Sequence, residues 1–133
     1  MSDQTGRGRL RWPLRLTTER QDDVLVLVAS GRLSHRSAGA LKAALGTAID
    51  RDQGGLVLDC GLVDYLSSAS LTVIEEASAR LAEQRAVLVL CAISSPVRIV
   101  VELSGLLPGL PIEPTRHAAV ERVRSHLATV RPT

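Results

Sequence analysis

Leu56-Val57-Leu58-Asp59-Cys60-Gly61-Leu62-Val63-Asp64-Tyr65-Leu66-Ser67-Ser68-Ala69-Ser70-Leu71 is the stretch that decides how this chain folds. It opens on a short unbroken apolar run, which predicts a strand buried on both faces and ending near Asp59 and Cys60. Residues 61–66 read as a loop. Three serines in four positions then mark a helix start, with Ser67 or Ser68 as its cap. Leu71, Ile74, Ala77 and Leu81 continue at helical spacing, and Glu83, Gln84 and Arg85 form the exit.

The same alternation extends in both directions. Upstream, Leu14 and Leu16 alternate with polar residues, Gln21-Asp22-Asp23 is a turn, and Val24-Leu25-Val26-Leu27-Val28-Ala29 is a second buried strand. A short turn between the two predicts an antiparallel pair. Ser34 is the expected cap of a first helix, whose inward face is Ala38, Leu41, Leu45, Ala48 and Ile49. Gly54-Gly55 breaks the chain before Leu56.

Downstream, residues 86–91 read as a third buried strand. Pro96 suits the first turn of a helix anchored by Val97, Val100 and Val101 and ended by Gly105. Leu110-Pro111-Ile112 reads as a short edge strand. Thr115 caps a last helix with Val120, Val123 and Leu127 inward. Strand and helix in alternation predict a single α/β domain. Its sheet is mixed and mostly parallel, of four to five strands, flanked by about four helices. The expected bounds are a disordered basic tail over 1–12, the domain over 13–128 and a C-terminal tail over 129–133.

Composition narrows the function. The chain has 133 residues, 45% of them apolar but only 2% aromatic and no Phe. It therefore lacks stacking platforms for bases. Of the net charge of +2, Arg7, Arg9, Arg11 and Arg15 against Asp3 already give +3, so the rest of the chain carries −1. The basic character belongs to the tail and not to a folded face, which argues against a nucleic-acid partner. No apolar run is long enough to span a membrane, and the N-terminus lacks the apolar core of a secretory signal. Cys60 and Cys91 each end an apolar run, as buried thiols of a reducing compartment do. The expected location is the cytoplasm.

A search for catalytic chemistry returns little. His35, His117 and His126 have no helical metal-pair spacing and read as surface residues. There is no Cys-x-x-Cys, no phosphate loop around the single Lys42, and no nucleophile elbow. Asp22-Asp23 and Glu75-Glu76 are adjacent in sequence and so point apart, as solvated carboxylates. The expectation is a protein that is not an enzyme and needs no cofactor and no metal.

The serine cluster has two readings. One is capping alone. The other is a modification switch, because a phosphate here would meet exposed amides and the positive end of a helix dipole. The fold would tolerate it, while a docked partner would meet about two new negative charges.

These residues resemble the STAS domain, the family of bacterial anti-sigma factor antagonists. Asp59-Cys60-Gly61-Leu62-Val63, then Asp64-Tyr65, then Leu66-Ser67-Ser68-Ala69-Ser70-Leu71 is similar to that family's Asp-Leu-Ser-Gly-Val, two residues, Ile-Asp-Ser-Ser-Gly-Leu. Gly31-Arg32-Leu33-Ser34 resembles its Gly-x-Leu-Asp, and residues 97–106 resemble its third helix with a closing Gly-Leu. The likeness covers about residues 14–127.

The resemblance implies an antagonist that binds an anti-sigma factor with serine-kinase activity and so frees a sigma factor. Phosphorylation of one serine blocks binding and a phosphatase restores it. That serine falls on Ser68. The implied partner-binding residues are Ser34, His35, Asp64, Tyr65, Leu66, Ser67, Ser68 and Ser70, with Tyr65 and Leu66 as apolar anchors. Two acidic positions of the family are replaced, by Ser67 and by Ser34, and its Ser-Gly by Ala69-Ser70. A divergent scaffold that is not phosphorylated, or that senses a small ligand or nucleotide, is the alternative. A weak homodimer stays open.

Overall fold

Residues 15–21 and 24–33 fold back on each other because Asp22 and Asp23 both take positive φ, 51° and 68°. That is the two-residue hairpin turn whose twist suits antiparallel strands, and Asp tolerates it. The strands are β1 (Arg15–Gln21) and β2 (Val24–Leu33). The computed structural model describes residues 14–51, 54–105 and 109–130. After β2 come α1 (Ala38–Arg51), β3 (Leu56–Leu66), α2 (Ser68–Glu83), β4 (Leu88–Cys91), α3 (Ser95–Ser104), β5 (Ile112–Glu113) and α4 (Arg116–Val130).

The sheet order is β1-β2-β3-β4-β5. β1 is antiparallel to β2 and every later pair is parallel. Right-handed crossovers that always step the same way put their helices on one face. One core cluster accordingly joins Leu25, Leu27, Leu56, Leu58, Leu88 and Leu90 to the inward residues of α1, α2 and α3. α4 closes the other face, where Ala119, Val120 and Val123 cover Val24, Val26, Val57, Val89 and Cys91. Two covered faces are why the three central strands read as unbroken apolar runs.

The helix ends follow local chemistry. Pro96 lies in the first turn of α3, and Gly105 ends it at φ 79°. Thr115 Oγ1 accepts from Ala118 N at 3.1 Å and caps α4. α4 runs on through Val130, into the segment expected as a C-terminal tail. The expected basic tail lies outside the described residues.

Several strand boundaries differ from expectation. Residues 61–66 are strand and not loop: β3 runs through to Leu66. The ladder with β2 survives because it absorbs two irregularities, between Val28 and Ser30 and between Gly31 and Arg32. Each gives β3 one extra residue, which re-aims its side chains and returns Val63 and Leu66 to the core. Gly31 takes φ 109° there, a backbone that favours glycine. The last strand is Ile112–Glu113 instead of starting at Leu110, because Leu110 turns into the core. Pro111 has no N–H, and its carbonyl accepts from Leu90 N at 2.9 Å. β4 begins at Leu88, two residues late, because Ala86 N closes the end of α2 on Leu81 O.

Candidate functional site

The late pairing of β2 with β3 sets Arg32 beside Tyr65 and Leu33 beside Leu66, at the carboxyl ends of two parallel strands. Ser67 N then donates to Leu33 O at 2.8 Å, so the ladder runs straight into the start of α2.

The three serines divide the work. Ser67 is the cap: its backbone is extended and its Oγ accepts from Ser70 N at 3.1 Å. Ser70 has no exposed surface. Its hydroxyl donates toward Leu33 O at 3.1 Å and Ser34 O at 3.3 Å and accepts from Ser67 Oγ at 3.1 Å. Ser68 is exposed in the first turn. Among the described residues nothing hydrogen-bonds its hydroxyl, and its carbonyl takes Thr72 Oγ1 at 3.1 Å. A family Gly at position 70 could not make the link to β2 that Ser70 makes.

Ser34 does not cap α1 directly. It begins a tight turn in which Ser34 N donates to Ser37 Oγ at 2.8 Å. Ser37 Oγ donates in turn toward Arg32 O at 3.0 Å, and Ser37 O takes the first helical bond, from Leu41 N at 3.0 Å. The helix therefore starts one turn later than Ser34 suggested.

Around Ser68 the expected partner residues separate by exposure. His35, Asp64 and Tyr65 are exposed and Ser34 is half-buried. Leu66 is 3% exposed and packs in the core, so it cannot be the surface anchor expected of it. Ser67 and Ser70 are buried too and shape the surface from beneath. Tyr65, 41% exposed, carries Arg32 over its ring at 4.3 Å. A cation held on an aromatic face in this way makes one amphipathic unit.

The sequence reading expected a partner patch over residues 31–35, which includes Arg32, but did not foresee its stacking on Tyr65, and it missed Leu62, which is 67% exposed. The clue to Leu62 was the family pattern itself, which has Gly there. Also missed was the brace below the site. Asp59 Oδ1 accepts from Gly61 N at 2.9 Å and its Oδ2 meets Arg116 Nε at 2.8 Å. Arg116 reaches on to Glu19 at 2.6 Å. The bonds to Glu19 and then Asp59 hold the guanidinium further into its charged form. Arg116 so ties β1, β3 and α4 together where β3 begins to bulge.

Among the described residues no catalytic group stands out. Cys60 and Cys91 are buried free thiols. Burial pushes Cys60 up strongly and Cys91 to about 12, with Asp59 adding to the second, so neither forms a thiolate readily. His35 and His117 are exposed, and His126 Nε2 meets Arg85 O at 2.9 Å. Among the described residues no three His, Cys, Asp or Glu gather as metal ligands, and no helix is long and apolar enough to cross a membrane.

Comparison with known proteins agrees with this fold. The family model described as STAS domain matches residues 15–119. BtrV of Bordetella bronchiseptica, named as an anti-sigma factor antagonist, is 33% identical over 114 residues, 86% of this chain and 98% of that protein. An anti-sigma factor antagonist from Mycobacterium paratuberculosis superposes with a TM-score of 0.78 at 27% identity, over 86% of this chain and 99% of its own. The anti-sigma factor antagonist SpoIIAA, from Bacillus, shares the fold in its unphosphorylated and phosphorylated forms, with TM-scores of 0.69 and 0.63 at 24% and 21% identity. Those two matches cover 84% and 83% of this chain and 97% and 100% of the other chains.

Proposed function

The chain belongs to the STAS domain family, and on that premise we propose that this anti-sigma factor antagonist is switched by phosphorylation of Ser68. The unmodified form binds an anti-sigma factor that carries serine-kinase activity, and binding releases the sigma factor. A phosphatase resets the switch.

One observation carries this reading. Of the three clustered serines, Ser68 alone is exposed with an unengaged hydroxyl, while Ser67 and Ser70 are buried and bonded. A kinase can reach Ser68 without unfolding the helix. A phosphate there gains from the first-turn amides and the helix dipole, so the fold accepts it. The partner, docked against Tyr65, Asp64 and His35, instead meets about two negative charges and a bulky group.

The family's two missing acids fit this division. Ser67 keeps the capping task that Asp performs equally well, and Ser34 joins the turn that starts α1. Loss of those carboxylates leaves Asp64 as the acid nearest in sequence to Ser68 and lowers the repulsion that a phosphate would feel.

The test is binding to the cognate anti-sigma factor by calorimetry. Ser68→Asp is expected to lose binding by at least about tenfold while melting within a few degrees of the parent. Ser68→Ala is expected to bind and to resist switching by kinase and ATP. Full binding by Ser68→Asp would overturn the proposal.

A further inference from the structure

β1 is an outer strand of seven residues. Its inner edge pairs with β2 from Arg15 to Gln21, and no strand among the described residues pairs with its outer edge. An open edge of this length is a template for another strand.

The two faces of β1 differ. Arg15, Thr17 and Glu19 alternate onto the α4 side, where Glu19 meets Arg116. Leu16 and Thr18 lie on the α1 side, where Thr18 Oγ1 accepts from Arg51 at 3.2 Å. There an open groove of about 590 Å³ runs behind the edge, lined by Leu16, Thr18, Leu27, Ala44, Ala48 and Arg51.

The charges on the edge are self-complementary. Directly opposed residues of an antiparallel pair point to the same face. A two-fold axis at Thr17 therefore sets Arg15 against Glu19 of a second copy, twice, with Thr17 against its own mate. Leu16 then faces Thr18 over the groove. An axis at Thr18 would waste both charges, setting Glu19 against Thr17 and Arg15 against Gln21. An axis at Glu19 would oppose two carboxylates. Arg15 is exposed and has no ion pair among the described residues, and the Glu19 side chain is still 52% exposed beside Arg116.

We propose that a second copy of this chain pairs antiparallel with β1 about a two-fold axis at Thr17, forming an isologous dimer with a continuous ten-stranded sheet. The parallel strands of the two copies run in opposite directions. The two Ser68 surfaces therefore stand at opposite ends and stay open.

The experiment is sedimentation of the full chain over a concentration series, with disulfide trapping of Thr17→Cys under mild oxidation. Paired Thr17 residues lie about 4.5–5.5 Å apart at Cα, within disulfide range. Cys60 and Cys91 are buried and stay silent. The parent is expected to associate as a dimer, Thr17→Cys to trap it, and Gln21→Cys, which this register holds well away from its mate, to dimerise without cross-linking. Arg15→Glu is expected to raise the dimer dissociation constant about tenfold or more, with circular dichroism confirming its fold. A monomer at every concentration, trapping no faster for Thr17→Cys than for Gln21→Cys, or an unaffected Arg15→Glu dimer would each overturn the proposal.

Discussion

Ser70 donates its hydroxyl to the carbonyl of Leu33 at 3.1 Å, and so fastens the first turn of α2 to the end of β2. The bond is fully buried and joins the two segments that frame Ser68.

Ser70→Ala removes that donor and leaves the buried Ser67 hydroxyl without its acceptor, while Leu33 O keeps Ser67 N and Ser34 O keeps Ser37 N. A loss of about 1–3 kcal/mol is expected. Urea unfolding checks it: the midpoint falls and the slope is unchanged.

Ser67→Ala loses the cap of α2 and is expected to cost about 0.5–2 kcal/mol. Ser67→Asp restores the family residue and the capping oxygen, and its unfolding midpoint is expected to match the parent's. A large loss in Ser67→Asp would mean that burial of the carboxylate outweighs capping.

These serines illustrate how far the sequence could be read. The strand at Val24, the turn at Asp22 and Asp23, and the inward faces of all four helices were legible because each depends on local period or turn chemistry. The place of Ser68 at the start of α2 was legible from the serine cluster. The lock made by Ser70 was not, since its acceptor lies 37 residues earlier in the chain. Nor was the strand character of residues 61–66, because a bulged ladder is specified by the partner strand. Leu66 looked like a surface anchor for the same reason: without the bulges its facing cannot be counted.

Arg116 belongs with the illegible features, 57 residues from Asp59. Arg116→Ala is expected to lose about 1–3 kcal/mol, since it strips the carboxylate of Asp59 of its cation while Glu19 remains in solvent. Thermal melting checks this. A Glu19→Gln variant is expected to lose much less, being half exposed.

The two thiols impose an alkaline limit. Burial raises Cys91 from 9.0 to about 12 and raises Cys60 as well. Above pH 9 the unfolded chain has released these protons while the folded chain still holds them. Stability is therefore intact below pH 9 and falls as pH rises toward 12, by up to about 1.4 kcal/mol per pH unit for each thiol. Urea titrations across this range check the slope, and the Cys60→Ala, Cys91→Ala double variant is expected to flatten it. At pH 8 a thiol reagent is expected to label neither cysteine until the protein unfolds.

The most direct measurement is phosphopeptide mapping after incubation with ATP and the cognate anti-sigma factor. Phosphate is expected on Ser68, with Ser67 and Ser70 unmodified, and the phosphorylated chain is expected to leave the complex. An unmodified peptide over residues 56–80, or phosphate on Ser68 with binding unchanged, would contradict it.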